Sequence, residues 1–235
     1  MMRALRLRPF AFLLCICVTV PETRVAGQIT LLDAGTISGN TYRNPELGFR
    51  YQFPNGWVVN DTATQQKEIA GGHQVAWDDA RSKKLGDKAP GQCTRNLLFV
   101  TQHPAGMRLN GFDSSVFLMA VDPNCVPGVT FPTSVKDHEA IQRIAKLVVS
   151  HLKMSAVTDR GPVQLRAFDN AGRVMLAISE AFDIFISEPA GSTTQNIHTS
   201  TLLMQAGQYW ILWRFAADTD YNLKKLEATK IFFDA

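Results

Sequence analysis

The residues best placed for chemistry begin at His138-Glu139, which open an HExxH-like string on a segment of helical periodicity. A zinc site of that kind needs two imidazoles one turn apart on one helix face, with the glutamate as general base. Gln142 stands where the second imidazole would be, so the string reads as exposed helix polarity. Asp78 and Asp79, near Glu68 and His73, form an acidic cluster with the oxygen ligands that suit a hard cation. The spacing is not that of an EF-hand and Lys83-Lys84 lie close by, so a solvated surface is the expected reading. Asp78, Asp79 and His73 stand as weak metal candidates only. The five histidines (His73, His103, His138, His151 and His198) are scattered, and His138 and His151 are too far apart on one straight helix to chelate together. No G-x-S-x-G elbow, P-loop or dinucleotide glycine fingerprint occurs. No catalytic or cofactor-binding residue is assigned, and no cofactor is implied.

The cysteines carry a different chemistry. Cys15 and Cys17 fall in the N-terminal segment, leaving Cys93 and Cys125. An even pair in an exported chain points to a disulfide, with two unpaired thiols as the alternative. A link across that separation constrains the unfolded chain by roughly 3.5–4 kcal/mol. The absence of CxxC spacing argues against a thioredoxin-type redox site.

Export is read from the first 27 residues. MMRALRLR is cationic, PFAFLLCICVTV is an apolar run too short to span a bilayer, and PETRVAG ends in small residues. This is the pattern of a cleavable signal, with the cut expected after Gly27. A lipoprotein reading fits poorly, because Leu14 and Ile16 precede the two cysteines where a lipobox wants a small residue. No later window approaches an uninterrupted membrane-spanning length, so no transmembrane anchor is expected and the mature chain is placed as secreted or periplasmic. Without residues 1–27, Lys+Arg falls from 24 to 20 and Asp+Glu from 21 to 20, so the formal charge goes from +3 to 0. A nucleic-acid partner argued from basic charge is thereby excluded.

The elements follow from periodicity. Residues 28–46 are polar with Gly and Asn punctuation and read as an N-terminal arm. Phe49, Tyr51 and Phe53 alternate with Arg50 and Gln52, Pro54-Asn55-Gly56 turns the chain, and Trp57-Val58-Val59 resumes extended structure, which predicts a hairpin-like entry into a sheet. Residues 61–93 read as a surface excursion, with a short helix over 62–70 capped by Asp61. Strands are expected at 96–102 and 115–121, the second covered on both faces. A helix follows at 135–154, with a capping box at Ser134/Asp137 and an apolar stripe of Ile141, Ile144, Ala145, Val148 and Leu152. Val163, Leu165 and Ala167 mark a strand that turns at 169–172 into RVMLAISEAF. After a polar loop at 191–195, IHTSTLLMQ and QYWILWRFAA pair about Ala206-Gly207, with Trp210 and Trp213 on opposite faces. A helix capped by Thr219 and a final IFF complete the chain.

Both ends carry a resemblance. TYRNPELGFRYQFPNGWVV resembles the start of PsbP-like domains, and TLLMQAGQYWILWRFAADTDYNLKKLEATKIFF is similar to that family's last strands, short helix and terminal phenylalanine run. The resemblance implies an α+β fold, an antiparallel sheet flanked by helices as an α/β/α sandwich, in a single domain over 47–235 with the excursion at 61–93. It also implies a non-enzymatic role. Photosynthetic members dock on photosystem II and support retention of calcium and chloride, but no residue here matches the docking or ion-retaining elements. The leading expectation is therefore an exported, non-catalytic interaction or accessory module with a protein partner in the envelope or outside the cell. A small-ligand or metal-ion binding protein is the alternative, and a hydrolase with an unrecognised site is third.

Overall fold

The computed structural model describes residues 28–61, 93–104, 112–126, 128–152, 157–188 and 191–234. Two antiparallel sheets dominate. The small sheet orders β1 (Thr36–Ser38), β2 (Thr41–Asn44), β3 (Phe49–Gln52) and the last strand β12 (Lys230–Phe233), so the two ends of the domain are stitched together. The large sheet runs β4 (Val58–Val59), β5 (Thr94–Thr101), β6 (Ser115–Val121), β11 (Tyr209–Ala217), β10 (Gly191–Ala206), β9 (Arg173–Glu188) and β7 (Val157–Asp159). β8 (Gln164–Asn170) also pairs with β9. Among the described residues two α-helices join them, α1 (His138–Leu152) and α2 (Asp220–Glu227).

Alternation along the central strands gives each face of the large sheet its own core. Ile211, Trp213 and Phe215 of β11 join Val116 and Leu118 of β6 against Tyr42, Phe49 and Tyr51 of the small sheet and Leu223 and Leu226 of α2. The Phe49 and Trp213 rings meet edge to face with centroids 5.0 Å apart. The residues between them, Trp210 and Leu212 with Met119 and Val121, turn to the other face and pack under Ile141, Ile144, Ala145 and Val148 of α1. Both tryptophans are buried, one on each side, and β6 is covered on both faces.

The α+β class and the antiparallel sheet with flanking helices hold, and four local expectations are corrected. Residues 28–46 are not an arm. A 3-10 turn at Gln28–Leu31 buries Ile29, Leu32 is buried beside it, and β1 and β2 extend the small sheet. Their polar residues are there to bond the backbone. The buried Asn44 accepts from Leu47 N at 3.0 Å and donates to Asp33 O at 2.8 Å, and Tyr42 Oη donates to Ala34 O at 3.0 Å. Gly35 has φ +78°, and a Cβ there would meet Tyr42 Oη at 2.6 Å.

Second, Pro54-Asn55-Gly56 does not close a hairpin. β3 pairs with β2 and β12 while β4 pairs with β5, so the turn carries the chain from one sheet to the other. Third, α1 starts at His138, and Asp137 is its cap. Asp137 Oδ1 accepts from Ala140 N at 3.1 Å, and Ser134 Oγ reaches only Lys136 N. Fourth, residues 191–195 belong to β10, whose long pairing with β9 runs from Gly191↔Glu188 to Met204↔Met175. The helix expected at 62–70 and nearly all of the 61–93 excursion lie outside the described residues.

The sulfurs of Cys93 and Cys125 meet at bonding distance, with Cα atoms 5.7 Å apart and a sequence separation of 32. They tie the start of β5 to the 3-10 turn that follows β6, beside the Asp122 N to Cys93 O bond of 2.9 Å.

Two stability measurements follow. Cys125→Ser is expected to lower the urea unfolding free energy by roughly 3–4 kcal/mol, with reductant lowering the unmutated protein to the same level. Burial pushes the Tyr42 phenol up from 10.0 to about 12, against the lowering effect of its Asn44 bond. A raised phenol pKa stabilises the folded state below the unfolded value and is lost as pH rises through the folded one. The urea unfolding free energy is therefore expected to fall from about pH 10 toward 12, by on the order of 3 kcal/mol for this group. Tyr42→Phe should flatten that part of the slope, and an unchanged slope would refute the assignment.

Candidate functional site

An open cleft of about 480 Å³ lies where the end of the small sheet, the ends of β5 and β6, and α2 converge. Its chemistry is dominated by carboxamides: Asn40, Gln52, Asn55, Gln102 and Asn222 all line it. Trp57, Ser114, Lys225 and Thr229 contribute the rest of its functional groups. Among the described residues, the lining includes no carboxylate, imidazole or thiol.

Each wall is held by backbone geometry. Asn40 sits in the β1–β2 turn, where Asn40 Nδ2 donates to Phe53 O at 2.7 Å and Phe53 N donates back to Asn40 O at 3.0 Å. The next residues are the Pro54-Asn55-Gly56 turn, with Gly56 at φ +81°, and it delivers Asn55 and Trp57 to the rim. Trp57 is partly buried and packs on the core formed with the small sheet. Thr219 caps α2 by accepting from Asn222 N at 3.2 Å, and Asn222 Nδ2 is held by Asp218 Oδ1 at 2.7 Å. Thr229 Oγ1 bonds Leu226 O and the Tyr51 hydroxyl, so the far wall is fixed to the small sheet. Burial raises the Tyr51 phenol strongly, which keeps it neutral there.

Below the cleft a polar relay braces the strand ends. Asn60 Nδ2 donates to Thr101 Oγ1 at 3.0 Å, and that hydroxyl donates to His103 O at 2.7 Å. His103 then meets Asp113 twice, through its N–H at 3.2 Å and through Nδ1 at 2.9 Å. An imidazole oriented by a carboxylate is where a hydrolytic triad would start. Among the described residues, however, no serine, threonine or cysteine side chain hydrogen-bonds to the His103 imidazole, since the Thr101 hydroxyl reaches only its backbone carbonyl, and the pair works as a clamp between β5 and β6.

The other sequence candidates disperse. His73, Asp78 and Asp79 lie outside the described residues, as does the His151 side chain. His138 is exposed at the start of α1, where its neighbour Glu139 pairs with Arg143 at 3.2 Å. His198 lines a shallow hollow with Asp159, Arg160, Asp183 and Asn196. There Arg160 Nε contacts one Asp183 oxygen at 2.9 Å and Asn196 Nδ2 the other at 3.2 Å, so that carboxylate is already engaged. Among the described residues no group of three His, Cys, Asp or Glu side chains is arranged to hold a metal. On the α1 face of the large sheet, partly buried Arg214 lies near Glu180. Desolvation lowers the guanidinium pKa and the Glu180 charge opposes that shift.

The sequence carries little sign of the cleft itself. Its amides come from separate stretches of chain and form no motif, and only the Pro-Asn-Gly-Trp string gave a local signal.

No protein-family model matches the chain, and no curated protein matches it. Among solved structures it is similar to the solution structure of cyanobacterial PsbP (CyanoP) from Synechocystis sp. PCC 6803, at 12% sequence identity. That likeness covers 85% of this chain and 98% of the other with a TM-score of 0.44, a degree of overlap that says nothing of what this chain binds.

Proposed function

We propose that the chain is an exported, non-catalytic interaction module that seats part of a partner in the carboxamide cleft. The observation that carries this is the composition of the lining. Asparagine, glutamine, serine and tryptophan recognise by hydrogen bonding and contact, while proton transfer or nucleophilic attack near neutral pH requires a titrating or activated group; among the described lining residues the one titrating side chain is Lys225, which lies over the Tyr221 ring. Export rests on the cationic-apolar-small pattern of residues 1–27, and the Cys93–Cys125 pair suits an oxidising compartment. Among the described residues no helix is long and apolar enough to cross a membrane. A small-ligand binder is the second reading, favoured by a volume of about 480 Å³, which falls within the usual range of ligand pockets.

The test places a photo-crosslinking side chain at Asn55 on the cleft rim or, as control, at exposed Gln142 on α1, in the native host. One dominant adduct is expected from position 55 and none from position 142. That adduct should weaken by about tenfold when Trp57→Ala is added, the scale of losing an anchoring aromatic. Equal labelling from both positions, or none from either, would overturn the proposal.

A further inference from the structure

We infer that the occupant of the cleft is a neutral saccharide chain; this rests on reading the cleft as a binding site. A sugar ring offers hydroxyls that both donate and accept hydrogen bonds, and a flat C–H face. A carboxamide both donates, through its NH2, and accepts, through its carbonyl oxygen, and five of them line this cleft. Among the described residues, the side-chain amides of Gln52, Asn55 and Gln102 make no hydrogen bond within the chain, so they are available to a ligand. Asn40 and Asn222 are partly committed to Phe53 O and Asp218, which fixes their orientation.

Trp57 supplies the complementary surface. It packs on the core while lining the cleft, so its ring is held before a ligand arrives and stacking costs little ordering entropy. The electrostatics select against a charged polymer. Among the described residues no carboxylate lines the cleft, and the one cation there, Lys225, already lies 4.3 Å from the Tyr221 ring centroid. An extended peptide fits less well. Peptides that add to a sheet use the main-chain groups of a free strand edge, whereas β3, which supplies Gln52, is paired with β2 on one side and β12 on the other. The openness of the cleft to solvent suits a short run within a longer chain rather than an enclosed monomer.

The experiment is ligand-observed saturation-transfer NMR with cellotetraose, maltotetraose and tetra-N-acetylchitotetraose on the disulfide-intact protein. At least one of the three is expected to show transfer to its ring C–H protons. Trp57→Ala should weaken that binding about tenfold and Trp57→Phe should restore most of it, while Asn55→Ala weakens it about fivefold, one hydrogen bond's worth. Thermal unfolding of each variant controls for folding, and Asn55, exposed in a turn, is the variant whose fold is least at risk. Transfer that survives Trp57→Ala unchanged places the sugar elsewhere and overturns the inference. No transfer from any of the three, with a polypeptide adduct from position 55, overturns it and leaves the interaction-module reading standing. No transfer and no adduct overturn both.

Discussion

The structure depends on β11 being buried on both faces. A strand in that position cannot be stabilised by one layer of cover, because each side presents large apolar side chains to whatever lies against it. Trp213 and Phe215 require the small sheet, and Trp210 and Leu212 require α1. Each such side chain contributes on the order of 2–3 kcal/mol when removed from water, so neither cover is dispensable. The edge-to-face contact of Phe49 with Trp213 is where the small sheet is keyed to the large one. Because β12 completes the small sheet by pairing with β3, the cover also needs the end of the chain in place.

The cleft is a by-product of that arrangement. The strands of the small sheet are three or four residues long against seven to nine in β5, β6 and β11, and the cleft lies where the end of the small sheet meets the ends of β5 and β6. Polar backbone where a sheet ends must be bonded or solvated. The residues found there do the first locally, as in the reciprocal Asn40–Phe53 bonds and the Asn60–Thr101–His103–Asp113 relay. Amides are suited to this because each can hold the backbone with one end and offer the other to solvent or a ligand. The same residue type therefore finishes the edge of the core and furnishes the walls of the cleft.

What was legible in the sequence follows the same division. Alternation in Tyr209–Phe215 and the stripe from Ile141 to Val148 announce burial directly, since apolar periodicity records which way a side chain must face. Residues 28–46 have the composition of an arm because their buried apolar side chains are few and widely spaced, and their polar ones satisfy backbone groups within the core, as Asn44 and Tyr42 do. Composition cannot separate an asparagine bonded inside a fold from one in solvent. Pro54-Asn55-Gly56 is legible as a turn, but its destination is not, since partner strands distant in sequence leave no local mark. Asp137 rather than Ser134 caps α1 for a similar reason: both have the chemistry, and backbone direction decides between them.

The cleft was the least legible feature of all, and its construction explains why. A catalytic motif is often local because one turn or helix presents several groups in fixed geometry, whereas this lining is assembled from the β1–β2 turn, the crossing between the sheets, the β5 and β6 ends and α2. Those pieces are nonetheless tied together. Tyr51, buried in the small-sheet core, bonds Thr229 at the end of α2, and Phe53, two residues on, is clamped to Asn40. A ligand touching both walls would bridge elements whose mutual position is set by the Phe49–Trp213 and Tyr51–Phe215 contacts. Recognition in such a site draws on the rigidity of the core, because side chains already held by bonds and packing lose little freedom when a partner binds.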